Sequence, residues 1–247
     1  NPDTGITLNN NLTVGGTIEA SNFKQEGTNF TGSLLVGHST TGTLSSANSN
    51  TGVGIAVEPK PGVNFKATNE VISTDSGNKI EVVELFWYGC IHCYTLDPYI
   101  DKWADTLPKD VVFKRIPAIP RKNWSPGAKA YYALETLDLD HKLHEKLFEA
   151  IHKEKTLNPV DEKNLIKWIA TNGKLDTAEV NSAFNSFSMN AKLSRSFKMF
   201  KSAGATGVPS IIIDGRYLTS STMAGGEQNT IDLMNYIIDN IRKEKTK

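Results

Sequence analysis

Cys90 and Cys93 are the only cysteines in a chain of 247 residues, and just two residues separate them. An apolar run, Ile80 to Tyr88, leads into the pair and is broken only by Glu81 and Glu84. Leu96, Ile100, Trp103, Ala104 and Leu107 follow it at helical spacing. The pattern predicts a buried strand that turns into a helix at the cysteines. Cys90 then stands at the helix N-terminus, where unpaired N–H groups and the helix dipole favour negative charge. A thiolate is the reactive form of cysteine, and this position stabilises it.

Three chemistries compete for such a pair. It can be a redox dithiol cycling with its own disulfide, half of a zinc site, or a static bridge. A structural zinc site takes about four ligands. The five histidines are scattered, no second ligand pair of familiar spacing exists, and His92 lies between the two thiols, poorly placed to join them around one metal. A static bridge gains most when it closes a long loop, and a two-residue spacer gains little. The strand–CxxC–helix setting favours the redox dithiol, with no metal and no cofactor. Within the spacer, Ile91 adds bulk without charge. His92 brings an imidazole and a backbone N–H towards Cys90, and either favours the thiolate. A low thiol pKa stabilises the reduced form and makes the disulfide a stronger oxidant. Alternatively, His92 is an exposed helix-start residue without a role.

Lys plus Arg number 27, as do Asp plus Glu, so the net charge is zero, and nothing in the balance points to nucleic acid or an anionic membrane surface. No apolar run approaches the roughly 18 residues of a membrane helix.

Composition changes sharply near residue 57. Before it the only charged side chains are Asp3, Glu19, Lys24 and Glu26, in a background of Gly, Thr, Ser and Asn. Residues 1–56 therefore read as a separate extension, too poor in large apolar side chains for a core of its own, with Val57-Glu58-Pro59-Lys60-Pro61 as linker. Beyond the linker the expected elements are a strand over 64–72, the central strand 80–88, the cysteine helix kinked at Pro98, and a strand over 111–116. Helices are expected over 126–137, 141–153, 160–171, 177–188 and 190–203. Leu143, Leu147, Phe148 and Ile151 form one core stripe, and Leu193, Phe197 and Phe200 another. A strand at 210–213, an Asp214-Gly215 hairpin turn, a paired strand 216–219 and a helix over 227–243 complete the chain. This order predicts an α/β thioredoxin fold, with thioredoxin parts 57–122 and 205–247 and an all-helical insertion, 123–204, spliced into it.

These residues carry a family resemblance. Phe86-Trp87-Tyr88-Gly89-Cys90-Ile91-His92-Cys93-Tyr94 is similar to the aromatic-rich Cys-Pro-His-Cys-Tyr motif of the DsbA family of periplasmic thiol:disulfide oxidoreductases, and Thr206-Gly207-Val208-Pro209 resembles its cis-proline loop. The resemblance covers 57–247. Ile91 departs from it, standing where the motif has proline. The resemblance implies that Cys90 is the nucleophile and Cys93 the resolving thiol, and that a cis Val208–Pro209 bond faces them, with Thr206, Gly207 and Val208 binding substrate backbone. It also implies a buried acid, Glu84, that exchanges a proton with Cys93 and is partnered by Arg115; the alternative is a satisfied structural pair. Met223 lines an apolar groove for unfolded peptide, or simply packs its loop. The implied partners are reduced, unfolded secreted proteins and a DsbB-type quinone-linked membrane oxidase, in the periplasm. The short repeats of 1–56, Leu-Thr-Val-Gly-Gly-Thr-Ile and Asn-Thr-Gly-Val-Gly-Ile, resemble those of phage tail fibres and bacterial surface fibres. A tether or a segment joined from elsewhere explains them as well. A fibre-like extension leaves room for a homo-oligomer through 1–56. It also leaves two other functions open: a disulfide isomerase or reductase oligomerised by the extension, or an attachment protein that uses the domain for binding.

Overall fold

A computed structural model describes residues 59–245 of the chain. The extension 1–56 and the first linker residues lie outside them.

The centre is β2 (Ile80–Phe86), buried along its whole length. It pairs in parallel with β3 (Val111–Pro117) on one side and antiparallel with β4 (Ser210–Ile213) on the other. Between β2 and β3 runs α1 (Ile91–Ala104), which continues through Pro98. β5 (Tyr217–Thr219) and β1 (Lys66–Ala67) extend the far edge, so the sheet order is β1-β5-β4-β2-β3. β4 and β5 are joined across Asp214 and Gly215, both at positive φ (52° and 66°), as the Asp-Gly turn predicts. A side chain at Gly215 would run into the Ile72 carbonyl. Alternation along β2 splits its residues between two faces. Ile80 and Val82 pack with α1 and α8 (Glu227–Lys245), and Val83 and Leu85 pack with Ile116, Met199 and Ile212. Glu84 falls on the α1 face by the same alternation.

From residue 122 the chain leaves the sheet. A 3₁₀ turn (Lys122–Trp124) precedes α2 (Ser125–Thr136), α3 (Asp140–His152), α4 (Glu162–Gly173), α5 (Thr177–Phe184) and α6 (Met189–Ala203). Asp161 caps α4 by accepting from the Asn164 N–H, and Gly204 ends α6 at a left-handed φ of 69°. This insertion has its own core around Leu134, Leu147, Phe148, Leu165 and Phe184, and that core continues into Phe86, Tyr88 and Cys93.

Three sequence expectations need correction. The strand expected over 64–72 shrinks to Lys66–Ala67. Beyond it the backbone bonds diverge: Ile72 N–H reaches Gly215 O, whereas Glu70 N–H turns to Ser202 O, so no ladder forms. Phe197 is exposed rather than core. Leu193 and Phe200 of the expected stripe do pack against the core, partly buried, while the fully buried positions of α6 are Met189, Ser196, Met199 and Ala203, with Ser196 and the Tyr132 hydroxyl 2.6 Å apart. Residues 221–224, expected as loop, form a short helix, α7 (Ser221–Ala224), which contains Met223.

Candidate functional site

Cys90 is the N-cap of α1 in extended conformation, and Cys93 lies one turn in. The turn from β2 to α1 is closed by Cys90 N–H donating to Trp87 O at 2.9 Å. Both cysteines are free thiols; Cys90 is half-buried and Cys93 fully buried. Their environments push them in opposite directions. The Cys90 thiol falls to about 6, above all because the Cys93 thiol hydrogen-bonds to it, with further help from the backbone N–H groups of Cys93 and His92 and from the His92 charge; burial opposes this. Cys93 is pushed up, first by burial, then by its hydrogen bond to Cys90 and by the charges of Cys90 and Glu84. One thiol is thus poised as a thiolate at neutral pH while the other keeps its proton. His92 is exposed in the first turn of α1, where its carbonyl accepts from the Thr95 hydroxyl.

The loop before β4 completes the mouth of the site. The Val208–Pro209 peptide bond is cis. In its thiol form Cys90 donates to the Val208 carbonyl at 3.3 Å. Thr206 and Gly207 are exposed beside it, Val208 is half-buried and Pro209 is buried. The Ser210 hydroxyl donates to Gly207 O at 2.8 Å and ties the loop to β4. Met223 is half-buried in α7; its N–H is capped by Ser220 and its carbonyl accepts from Asn64, and neither bond involves the thiols.

Beneath the thiols lies an ionic cluster built around two buried carboxyls, Glu84 and Asp97. Glu84 and Arg115 are direct register partners on β2 and β3. Arg115 donates to Glu84 (3.2 Å), Asp97 (3.0 Å) and Asp101 (2.6 Å). Burial lifts the Glu84 carboxyl to about 7, against the pull of Arg115 and with the repulsion of Asp97 added. Burial would also raise Asp97, but hydrogen bonds from His144 and Arg115 outweigh it and hold that carboxyl below its usual range. A carboxyl near 7 can hold or release a proton at neutral pH, which is what a partner to the resolving thiol requires.

Sequence reasoning missed Asp97, His144 and His152. Asp97 had a signal: it lies four residues after Cys93, hence on the same helix face one turn on, and interrupts an apolar stripe. The histidines had none, because their partners are 47 to 64 residues away.

A model of the DSBA-like thioredoxin domain family matches residues 99–237, downstream of the cysteines. The thiol:disulfide interchange protein DsbA of Pseudomonas aeruginosa is 34% identical over 181 residues, covering 73% of this chain and 85% of the relative. That of Pseudomonas syringae pv. tomato is 35% identical over 189 residues, covering 76% and 87%. The crystal structure of Pseudomonas aeruginosa DsbA superposes with a TM-score of 0.72 at 33% identity, over 76% of this chain and 97% of that one. With relatives matched over most of their length, and the same arrangement of sheet and inserted helices, the chain belongs to the DsbA family of thioredoxin-fold proteins.

Proposed function

We propose that this chain donates the Cys90–Cys93 disulfide to reduced secreted proteins in the periplasm and is returned to the oxidised state by a DsbB-type quinone-linked membrane oxidase. The observation that carries the reading is the asymmetry of the pair. Cys90 is accessible at a helix N-terminus with its pKa lowered, and Cys93 is buried with its pKa raised.

The cycle follows from that asymmetry. A client thiolate attacks Cys90 Sγ of the disulfide, the S–S bond breaks, and Cys93 leaves with the bonding electron pair. Glu84 supplies the proton that the buried Cys93 thiolate needs. A second client thiolate then attacks the client sulfur of the mixed disulfide and releases Cys90 as a thiolate, a good leaving group because its pKa is low. The client loses two electrons and the chain gains two. Pro209 has no N–H, and exposed Thr206 and Gly207 with half-buried Val208 offer the client a short backbone edge beside Cys90. Met223 belongs to the same client surface in this reading. The exchange unit is residues 57–247, in which the thioredoxin parts carry the chemistry and the insertion 123–204 covers it.

Mixing the oxidised chain with an unfolded, reduced client tests the reading. The expected result is one client disulfide for each chain reduced, counted as free thiols. A client that keeps its thiols while the chain stays oxidised contradicts it.

A further inference from the structure

We propose that His152, on α3 of the insertion, is a positioning residue for the cysteine pair, holding both flanks of the Cys90–Cys93 segment through Tyr88 and Tyr94. The inference rests on the exchange reading above and adds to it the part that the insertion plays.

The geometry is specific. His152 Nε2 lies 2.7 Å from the Tyr88 carbonyl. A carbonyl only accepts, so Nε2 carries the proton and donates. The same imidazole stacks on the ring of Tyr94, with centroids 5.3 Å apart and planes 15° from parallel. Tyr88 lies two residues before Cys90 and Tyr94 directly follows Cys93. One side chain therefore touches the strand side and the helix side of the cysteine segment at once.

Neighbouring contacts reinforce the grip. His144, two turns earlier on α3, meets the Tyr88 hydroxyl through Nδ1 at 2.8 Å and Asp97 through Nε2 at 3.1 Å. On the other side of the turn, Trp87 stacks on Trp124 of the insertion at 4.0 Å and 7°. Trp87 also lies so close over Gly89 that any side chain there would meet its indole. The four residues that join β2 to α1 are held from both sides by the insertion. The N–H groups of His92 and Cys93 that stabilise the Cys90 thiolate project from the first turn of α1, so their aim depends on this turn staying fixed.

The test compares His152→Ala with His152→Gln in the full chain. The Gln side-chain nitrogen reaches about as far as Nε2 and can donate to the Tyr88 carbonyl; Ala cannot. Two readouts are taken: the pH profile of Cys90 alkylation, and kcat and KM for oxidation of a reduced peptide. Cys90 is faced by Cys93, His92 and the Val208 carbonyl, all unchanged in both variants. In His152→Ala the alkylation midpoint is expected to rise by about one pH unit and kcat to fall about tenfold, the scale of one lost hydrogen bond, with KM unchanged. His152→Gln is expected to recover most of both. Variants that lose thermal stability alike while keeping the wild-type alkylation profile overturn the proposal, as does a Gln variant no better than Ala. If the wild-type chain does not oxidise the peptide, the exchange reading fails, and the three alkylation profiles still decide the role of His152.

Discussion

Cys90→Ser is expected to abolish dithiol oxidation, a loss of at least about 10³-fold, whereas Cys93→Ser is expected to accumulate mixed disulfides with clients. The reason is positional. Cys90 is the accessible thiol of the pair and carries the helix-start stabilisation, so it alone can be attacked by, or attack, an external sulfur. Cys93 is sealed beneath it, and its raised pKa keeps it protonated until a disulfide forms. Without Cys93 the mixed disulfide at Cys90 has no internal thiol to resolve it. Loss of oxidation of a reduced client checks the first half; for the second, non-reducing gels and mass spectrometry follow Cys93→Ser mixed with an oxidised client, whose disulfide the Cys90 thiolate opens, forming the mixed disulfide and releasing the other client sulfur as a thiolate. Equal trapping by the two variants would reverse or erase the assignment.

Arg115→Met is expected to destabilise the fold by about 3–5 kcal/mol at pH 8, the scale for removing one partner of a buried ionic group. Arg115 is the only positively charged side chain bonded to both Glu84 and Asp97 in the described residues, and both carboxylates are buried. Without it the buried Glu84 carboxyl keeps its proton in the folded state to a still higher pH, while Asp97 retains only its bond from His144. For a raised folded pKa, stability is fully present below the unfolded value and is lost as pH rises through the folded one. Glu84 already behaves this way, with a window from its ordinary 4.5 to about 7. In Arg115→Met that window extends upward, so the variant should lie closer to wild type at pH 4 than at pH 8. Denaturant melts at the two pH values test this. A small loss, independent of pH, would mean that solvent rather than Arg115 compensates the two carboxylates.

What the sequence disclosed, and what it hid, follows from range. Cys90, the strand before it and the helix after it were legible because strand, turn and helix signals all lie within some thirty residues. The Asp214–Gly215 turn was legible for the same reason: it is a local demand on backbone conformation. The acid–base pair of Glu84 and Arg115 came from resemblance, since nothing local says that two strands place these residues in register. Asp97 was half-legible, as a charge in an apolar stripe. His144, His152 and Trp124 were hidden, because each acts by meeting the cysteine segment across the insertion. Phe197 on α6 shows a further limit. It shares helical spacing with Leu193 and Phe200, which pack against the core, but the fully buried side of the helix passes through Ser196, where a serine meets a tyrosine hydroxyl, and leaves Phe197 outside.

The central claim is that the reduced chain is stabilised by a thiolate at Cys90, which makes its disulfide one to be given away. Denaturant melts of the oxidised and reduced forms across pH test it most directly. The folded pKa of Cys90, about 6, lies below its ordinary value of 9.0. For a lowered folded pKa, the stabilisation is fully present above the unfolded value and is lost as pH falls through the folded one. The oxidised form has no thiol to titrate, and a cross-link this short constrains its unfolded chain only modestly. The reduced form is expected to be the more stable from pH 7 to the ordinary thiol value of 9.0, with an advantage that shrinks as pH falls towards 6 and is gone below it. An oxidised form that is the more stable at pH 7, with a gap that does not change on acidification, contradicts it.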